Sequence, residues 1–282
     1  MNGQKNNKNT SCICTVIKNE HDYLDEFIKY HIELGIDHIF IFEDVNSKSH
    51  HEITDKYPLY TTLIPIESIV DKKQIDNYIT HDFDRQNIYN VSILKYLKRH
   101  YNFKWCFNLD VDEFITIPYG NIYDILREFE SYEAIMIKWQ NYNANGHIFK
   151  PDYTKGGLQK TYTQTCGMSP HDHPYSCFKI LFNLDSFNLS NFFSVHGVNC
   201  QANALRLDNY DIIFLRHYIT KSWEEYVWKL KSRGMFNSGH RNFEHFFDFN
   251  PDLKSQRGVL MESLEEKKDV KQQEKQDDGL DR

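Results

Sequence analysis

The first half of the chain alternates strand-like and helix-like segments, and this alternation restricts the fold more than any other feature. Short apolar runs rich in β-branched and aromatic residues predict strands at 12–17, 38–42, 62–66 and 105–109. Apolar residues at helical spacing predict helices at 23–34 and 83–100, and Gly35 supplies the left-handed cap that ends the first helix. The alternation therefore predicts an α/β fold with a central, mostly parallel sheet flanked by helices.

The second half of the chain has a less regular pattern. We expect a helix at 121–132 and strand-like pieces at 134–139, 175–182, 191–196 and 211–218. Ser222 and Glu225 form an S-x-x-E capping box, which predicts a helix that ends at Gly234.

Length and composition suggest one domain with two irregular ends. The 282 residues, 40% of them hydrophobic, can bury one sizeable core. We expect a flexible N-terminus at 1–10, a single domain at 11–260 and a charged, disordered tail at 261–282.

Charge and composition exclude several classes of protein. The net charge is −7, the pI is near 6.0, and no Lys/Arg stripe interleaves with aromatic residues, so nucleic acid is a poor candidate partner. Residues 1–11 lack the apolar region of a secretory signal, and no stretch approaches the roughly 20 apolar residues of a transmembrane helix. We therefore expect a cytoplasmic protein without a transmembrane segment. Its six cysteines include no C-x-x-C pair, and we expect them to be reduced.

Two aspartates follow the fourth predicted strand. Asp110 and Asp112 are two residues apart, so both carboxylates can point the same way. Paired carboxylate oxygens suit Mn²⁺ or Mg²⁺, and such a cation offsets the charge that develops on a departing diphosphate. A bare D-x-D also occurs as a solvated turn, but the apolar residues on both sides favour a metal site here.

Polar residues also follow two other predicted strands. Asn19 and Glu20 come after the first strand, and Asp44 comes after the second. Ligands of open α/β sheets gather at the carboxyl ends of the strands, so these side chains are candidates for hydrogen bonds to a bound nucleotide. The alternative for Asp44 is an ordinary turn acid.

The segment 139–147 combines an indole with several amides. Trp139, Asn145 and Gly146 form a group suited to stacking on a sugar and hydrogen-bonding it. A polar turn after a core tryptophan is an equally good interpretation.

Five segments, in this order, resemble the GT-A glycosyltransferases related to family 2, in particular a bacterial branch with features of family 92. They are Thr15–Glu20, Glu26–Asp37, Phe107–Phe114, Trp139–His147 and His217–Ser222. Each motif is loose, but five in the right order are far more specific than one.

The resemblance implies a GT-A fold, which is Rossmann-like and binds a nucleotide-diphospho-sugar, with a nucleotide-binding half at 11–118 and an acceptor half at 119–260. It implies a donor that is a UDP-sugar, and Mn²⁺ or Mg²⁺ held by Asp110, Asp112 and His217. Asp112 resembles the direct metal ligand, and Asp110 resembles the contact to the ribose or donor sugar. The alternative for His217 is a packed histidine.

The resemblance gives roles to three further residues. Lys221, at the start of a predicted helix, resembles a residue that clamps phosphate. Lys179 and His196 resemble positions of the acceptor half. The alternative for Lys179 is a solvated charge at the edge of a strand.

The resemblance also favours inversion, in which the acceptor hydroxyl attacks the anomeric carbon and a carboxylate takes its proton. The candidates for this base are Asp172, Glu113 and Glu225. Glu225 has the alternative role of capping its own helix. Asp172 lies in a proline-flanked loop that is suited to cover an acceptor.

We expect a hexosyl- or N-acetylhexosaminyltransferase that acts on a glycan or lipid-linked acceptor in surface polysaccharide biosynthesis, at the inner face of the membrane. The main alternative is a non-catalytic carbohydrate-binding or scaffold protein, which would not need Asp110 or Asp112. A metal-dependent nucleotidyltransferase or phosphohydrolase is disfavoured, because the sequence has no Gly-rich phosphate loop.

Overall fold

The computed structural model describes residues 10–71, 73, 82–168, 177–232 and 242–262. The strands are β1 Ser11–Ile17, β2 His38–Glu43, β3 Thr61–Pro65, β4 Trp105–Asn108, β5 Glu113–Thr116, β6 Ala134–Tyr142, β7 Thr165–Cys166, β8 Phe178–Asn183, β9 Phe192–Ser194, β10 Gly197–Val198, β11 Ala204–Leu207 and β12 Phe214–His217. The α-helices are α1 His21–Leu34, α2 His51–Thr54, α3 Asp82–His100, α4 Ile122–Glu128, α5 Gly157–Thr161, α6 Trp223–Ser232 and α7 Phe243–Phe249.

The central sheet has the strand order β3-β2-β1-β4-β8-β6-β12-β5. The first four strands are parallel, β8 is antiparallel to both β4 and β6, and β12 is parallel to β6 and antiparallel to β5. This arrangement confirms the predicted α/β class with a central, mostly parallel sheet. Because β1, β2 and β4 run in the same direction, their carboxyl ends lie at one edge of the sheet, which places the predicted polar clusters together.

Helices cover both faces of this sheet. On one face, α3 contributes Ile93, Leu94 and Leu97 to a buried cluster that includes Cys14 and Cys106 of the neighbouring strands β1 and β4. On the other face, α1 buries Leu24, Phe27 and Ile28, and the ring of Phe27 lies 6.0 Å from that of Phe114 in β5. Burial of both faces explains why the strands are continuous apolar runs. All six cysteines are free, as the sequence predicts.

The chain forms two compact units. The first consists of Met1–Asn141, Asp152–Thr161 and Asp172–Ile219, and it contains the sheet strands named above up to Asn141 of β6. The second consists of Tyr142–Pro151, Tyr162–His171 and Thr220–Arg282. Its described residues have their own apolar core between α6 and α7, in which the indole of Trp223 lies 5.0 Å from the ring of Phe246.

Several elements differ from the prediction. The helix predicted at 121–132 ends at Glu128, and the strand predicted from Tyr175 begins at Phe178. The sequence did not predict β5 or β11, which are four residues each and pair with distant strands rather than with sequence neighbours. Gly234, residues 1–9 and the tail 263–282 lie outside the described residues.

Within the described part of the chain, a helix long and apolar enough to cross a membrane is not found.

Gly35 ends α1 in the left-handed conformation, with φ of 104°, as the sequence predicts. A Cβ at this position would lie 3.3 Å from Cγ2 of Ile122. We expect Gly35→Ala to lower the free energy of unfolding by about 1–2 kcal/mol, because an L-residue is strained in this region. Urea denaturation measures the change, and Gly167→Ala, which adds a Cβ with nothing within 4 Å, is the matched control. An equal change in both variants would contradict the assignment of strain to Gly35.

Candidate active site

The turn between β4 and β5 carries Asp110 and Asp112 and is fixed by backbone hydrogen bonds on both sides. Leu109 N–H donates to Cys14 O at 3.1 Å, Glu113 N–H donates to Asp110 O at 3.0 Å, and Tyr218 N–H donates to Asp112 O at 3.0 Å. The side chain of Asp110 is 54% exposed, whereas Asp112 is buried. The two predicted ligands therefore occupy different environments.

Lys179 of β8 contacts this turn from within the sheet. Its Nζ lies 2.8 Å from Oδ2 of Asp110 and 3.6 Å from Oε1 of Glu113, and its side chain is 2% exposed. Burial lowers the pKa of Lys179, but the carboxylates of Asp110 and Glu113 more than offset this effect, so its pKa lies above the ordinary value. Lys179 is therefore a buried partner of Asp110 and not a solvated edge charge.

Glu113 is completely buried. Its Oε2 accepts a hydrogen bond from Asp110 N–H at 2.9 Å, and Oε1 has no hydrogen-bond partner. Burial raises the pKa of Glu113 well above its ordinary value, with Lys179 lowering it and the nearby aspartates raising it further. The predicted role of Glu113 as a catalytic base requires contact with an acceptor hydroxyl. The side chain has no exposed surface through which such a contact could be made.

His217, at the end of β12, lies opposite Glu113 in the antiparallel pairing of β12 with β5. Its Nδ1 lies 3.1 Å from Oδ1 of Asn141, an acceptor that fixes the proton on Nδ1 and leaves the lone pair on Nε2, the arrangement of a metal-binding imidazole. The described residues contain no group of three or more His, Cys, Asp or Glu side chains that could hold one metal ion. Asp112 and His217 nevertheless offer the oxygen and nitrogen donors that suit Mn²⁺.

Trp139 adjoins His217. The two rings are 4.2 Å apart, and the ring of His196 lies 5.2 Å from Trp139 on another side. His196 is held by a hydrogen bond between its Nδ1 and Phe178 O, 2.9 Å long. The indole Nε1–H of Trp139 is buried without a hydrogen-bond partner, which is uncommon for a buried donor. The structure thus brings two predicted sugar contacts together with the predicted metal ligand.

Asp44 is buried among hydrogen-bond donors after β2. Its Oδ1 accepts from Tyr89 O–H and Val45 N–H, each at 2.9 Å. Its Oδ2 lies 3.6 Å from Nζ of Lys18 and 3.9 Å from Arg85. Burial and this carboxylate raise the pKa of Tyr89, so its hydroxyl stays a donor at neutral pH. Asp44 also begins the turn after β2, since Ser47 N–H donates to Asp44 O at 3.1 Å, so it combines the role of a turn acid with contacts to two cations and a phenol.

Asn19 and Glu20 lie in the loop that follows β1. Asn19 has φ of 58°, a left-handed conformation, and its Oδ1 accepts from Lys48 N–H at 2.9 Å. Glu20 O accepts the first backbone hydrogen bonds of α1. The loops after β1 and β2 are thus joined, which places these two residues and Asp44 in one region.

Four predicted site residues belong to the second unit. Glu225 forms the predicted capping box, since its Oε2 accepts from Ser222 Oγ–H at 2.6 Å and from Ser222 N–H at 3.2 Å, while Ser222 Oγ accepts from Glu225 N–H. Tyr162 O–H also donates to Oε2 at 3.1 Å. Three donors to one oxygen, together with the bond from Glu225 N–H to Ser222 Oγ, are the arrangement of a helix cap, so this geometry favours the capping role.

The other three have left-handed backbones, with φ of 51° at Asn145, 76° at Gly146 and 54° at Lys221. Oδ1 of Asn145 accepts from Gln164 N–H at 2.9 Å, and Lys221 is buried. The third base candidate, Asp172, lies outside the described residues.

Sequence reasoning missed the ion pair of Lys179 and the environment of Asp44. The run Phe178–Asn183 is buried throughout, so a lysine inside an otherwise apolar run was the available signal for a buried charge. Arg85 and Tyr89 had no such signal, because their partner lies more than 40 residues away in the chain.

A model of glycosyltransferase family 92 matches residues 7–255. The chain belongs to glycosyltransferase family 92. A family 92 protein of Ricinus communis is 24% identical over 229 residues, which are 79% of this chain and 37% of that protein. The chain described in this structure therefore spans little more than a third of the length of the Ricinus communis protein.

Solved structures show weaker similarity. TarS of S. aureus (residues 1–349) in complex with UDP is 11% identical, with 85% of this chain and 68% of TarS covered at a TM-score of 0.41. GalNAc-T7 with UDP, GalNAc and Mn²⁺ is 12% identical, with 80% of this chain and 48% of GalNAc-T7 covered at a TM-score of 0.42. Both TM-scores are below 0.5.

Lys179 and Glu113 should be energetically coupled. At pH 8, we expect Lys179→Met to destabilise the protein by about 3 kcal/mol, because it leaves the buried carboxyl group of Glu113 without its cation. The double variant Lys179→Met/Glu113→Gln should recover at least about 1 kcal/mol of this loss. Urea denaturation of the two single variants and the double variant measures the coupling, and Lys138→Met on the neighbouring strand β6 controls for the lysine-to-methionine change. Strictly additive effects would show that the two side chains do not interact as charges.

Proposed function

We propose that this family 92 chain is a metal-dependent glycosyltransferase that moves a sugar from a UDP-sugar to a glycan or lipid-linked acceptor. The observation that carries this proposal is the Asp110–Asp112 turn at the carboxyl edge of the sheet, joined by backbone hydrogen bonds to the strand that bears His217. This is the edge at which open α/β sheets bind their ligands.

Asp112 and His217 are the residues that we propose to hold Mn²⁺ or Mg²⁺. A bound cation would compensate the negative charge of the diphosphate leaving group. Asp110 has one carboxylate oxygen engaged by Lys179, so we assign it to the donor ribose or sugar rather than to direct metal coordination. Lys221 is proposed to contact the diphosphate.

The nucleoside is proposed to bind beside Asn19, Glu20 and Asp44, at the ends of β1 and β2. The ion pairs and hydrogen bonds of Asp44 hold its carboxylate in one orientation, which preorganises this part of the site without the substrate. Trp139 is proposed to contact the sugar, with its indole N–H as a hydrogen-bond donor. His196, Asn145 and Gly146 are proposed acceptor contacts.

We propose an inverting reaction with a carboxylate base. Glu113 is buried and Glu225 accepts three hydrogen bonds, so Asp172 is the base that we favour. The donor is proposed to be a hexose or N-acetylhexosamine linked to UDP, and the setting is proposed to be surface polysaccharide assembly in the cytoplasm at the inner face of the membrane.

Calorimetric titration of UDP, with and without Mn²⁺, tests the proposal. We expect binding that requires Mn²⁺ and that falls at least about tenfold in Asp112→Asn, because loss of one charged ligand removes about 1.4 kcal/mol or more of binding free energy. GDP and CMP serve as controls for the nucleotide. Asp185→Asn, at an exposed aspartate of the same unit, serves as the control for the substitution.

The result also separates the alternatives. If UDP binds no more tightly with Mn²⁺ than without it, the metal proposal is wrong. If no nucleotide binds under any condition, a carbohydrate-binding or scaffold protein becomes the better account.

A further inference from the structure

His50 is a buried histidine that the proposed reaction does not use. It has no exposed surface, and it lies in the segment that follows β2, at the start of α2. Its Nδ1 and its backbone N–H both contact Oε1 of Glu43, at 2.9 and 2.7 Å. Its Nε2 accepts a hydrogen bond from Glu20 N–H at 3.1 Å. The imidazole thus links the end of β2 to the loop that follows β1.

Further hydrogen bonds join the same two loops. Asn19 N–H donates to Ser47 Oγ at 3.2 Å, and Lys48 N–H donates to Asn19 Oδ1 at 2.9 Å. The ring of His21 stacks on that of His50 at 3.9 Å, and Nε2 of His21 lies 3.0 Å from Ser49 O. These contacts surround the fully buried His50, whose side chain bonds to Glu43 at the end of β2 and to Glu20 in the loop after β1.

We propose that His50 is a positioning residue for the nucleotide: by accepting the Glu20 N–H bond, it fixes the loop after β1 against the loop after β2. The two loops carry Asn19, Glu20 and Asp44, the residues proposed above to contact the nucleoside. This inference therefore rests on the proposed function, but the hydrogen bond itself does not.

The bridge requires a neutral imidazole. Glu43 Oε1 is an acceptor, so Nδ1 carries the proton, and Glu20 N–H is a donor, so Nε2 must carry a lone pair. A protonated imidazole has a proton on both nitrogens and cannot accept the Glu20 bond. Burial lowers the pKa of His50, Glu43 raises it, and His21 lowers it. The net effect holds the pKa of His50 below its ordinary value of 6.5, so the imidazole is neutral at neutral pH and the neutral form is lost only as the pH falls through this lowered pKa.

The groups that face the ring come from three segments. Glu43 ends β2, Glu20 is the last residue of the loop after β1, and His21 begins α1. Because the ring of His21 stacks on that of His50, the experiment includes a substitution at each of the two histidines.

Two substitutions at His50 separate its two hydrogen bonds. In His50→Gln, the amide oxygen can replace Nε2 as the acceptor for Glu20 N–H, whereas the bond from Nδ1 to Glu43 is lost. In His50→Asn, the amide N–H can replace Nδ1 as the donor to Glu43, whereas Glu20 N–H loses its acceptor. Neither amide titrates. His51→Asn, at a side chain that is 67% exposed, is the matched control.

UDP titration in the presence of Mn²⁺ at pH 7.5 and 5.5 tests the proposal. We expect His50→Asn to bind UDP at least roughly fivefold more weakly at pH 7.5, because a buried N–H is left without an acceptor. His50→Gln should retain affinity within roughly twofold at pH 7.5. It should also lose less affinity than the wild type between pH 7.5 and 5.5. The comparison at equal pH cancels the titration of UDP itself, and His21→Gln separates the contribution of the stacked His21 ring from that of the His50 hydrogen bonds.

Hydrogen–deuterium exchange of the nucleotide-free protein gives an independent readout. We expect faster exchange in peptides that cover residues 18–20 and 45–50 in His50→Asn, and wild-type exchange in His50→Gln. If His50→Asn changes neither exchange nor affinity, the inference is overturned. Faster exchange without weaker UDP binding would also overturn it, because His50 would then be structural only. If the wild type binds no UDP, the proposed function fails, and exchange alone still shows whether His50 joins the loops.

Discussion

The ion pair between Lys179 and Asp110 is the interaction on which the geometry of the site depends. It joins a side chain in the middle of the sheet to the turn that ends β4, at a distance of 2.8 Å. Glu113 holds the backbone of the same aspartate at 2.9 Å. Lys179 and Glu113 are both buried and both belong to strands. The sheet, and not the loop, therefore sets the position of Asp110. A carboxylate placed in this way needs little reorganisation when a ligand binds.

The charges around the turn support the proposed cation. Lys179 lies beside Asp110 and Glu113, and Asp112 follows Asp110 by two residues, so three carboxyl groups lie within four residues of one turn. The backbone of Asp112 is joined to the residue that follows β12, the strand that carries His217, because Tyr218 N–H donates to Asp112 O. In the proposed function, a divalent cation bound by Asp112 and His217 would present positive charge to a diphosphate at the sheet edge.

Much of the fold could be predicted from the sequence because its signals are local. Strands β1 to β4 are apolar runs between polar turns, Gly35 ends α1, and Ser222 with Glu225 begins α6. Parallel neighbours then place the residues that follow β1, β2 and β4 at one edge. Strand β5 was not predicted, because four residues gain their structure only by pairing with β12 about 100 residues away.

The site could be predicted only in part, because some of its contacts join residues that are distant in the sequence. The D-x-D pattern at Asp110 and Asp112 is local, and its position after a buried strand was sufficient to select it. The partners of Lys179, Asp44 and His50 come from distant segments, and their spacing in the sequence contains no information about those contacts. The prediction that His217 is a metal ligand came from the resemblance to GT-A glycosyltransferases related to family 2 with features of family 92, because the residues alone left open a ligand or a packed histidine.

The most direct test of the central claim is an anomalous difference map, recorded at the manganese edge, from crystals of the chain grown with MnCl₂ and UDP. The account predicts one strong peak in contact with a carboxylate oxygen of Asp112 and with Nε2 of His217, while Lys179 remains paired with Asp110. A peak at another place in the chain, or a peak coordinated by Asp110 with Lys179 displaced, would contradict it.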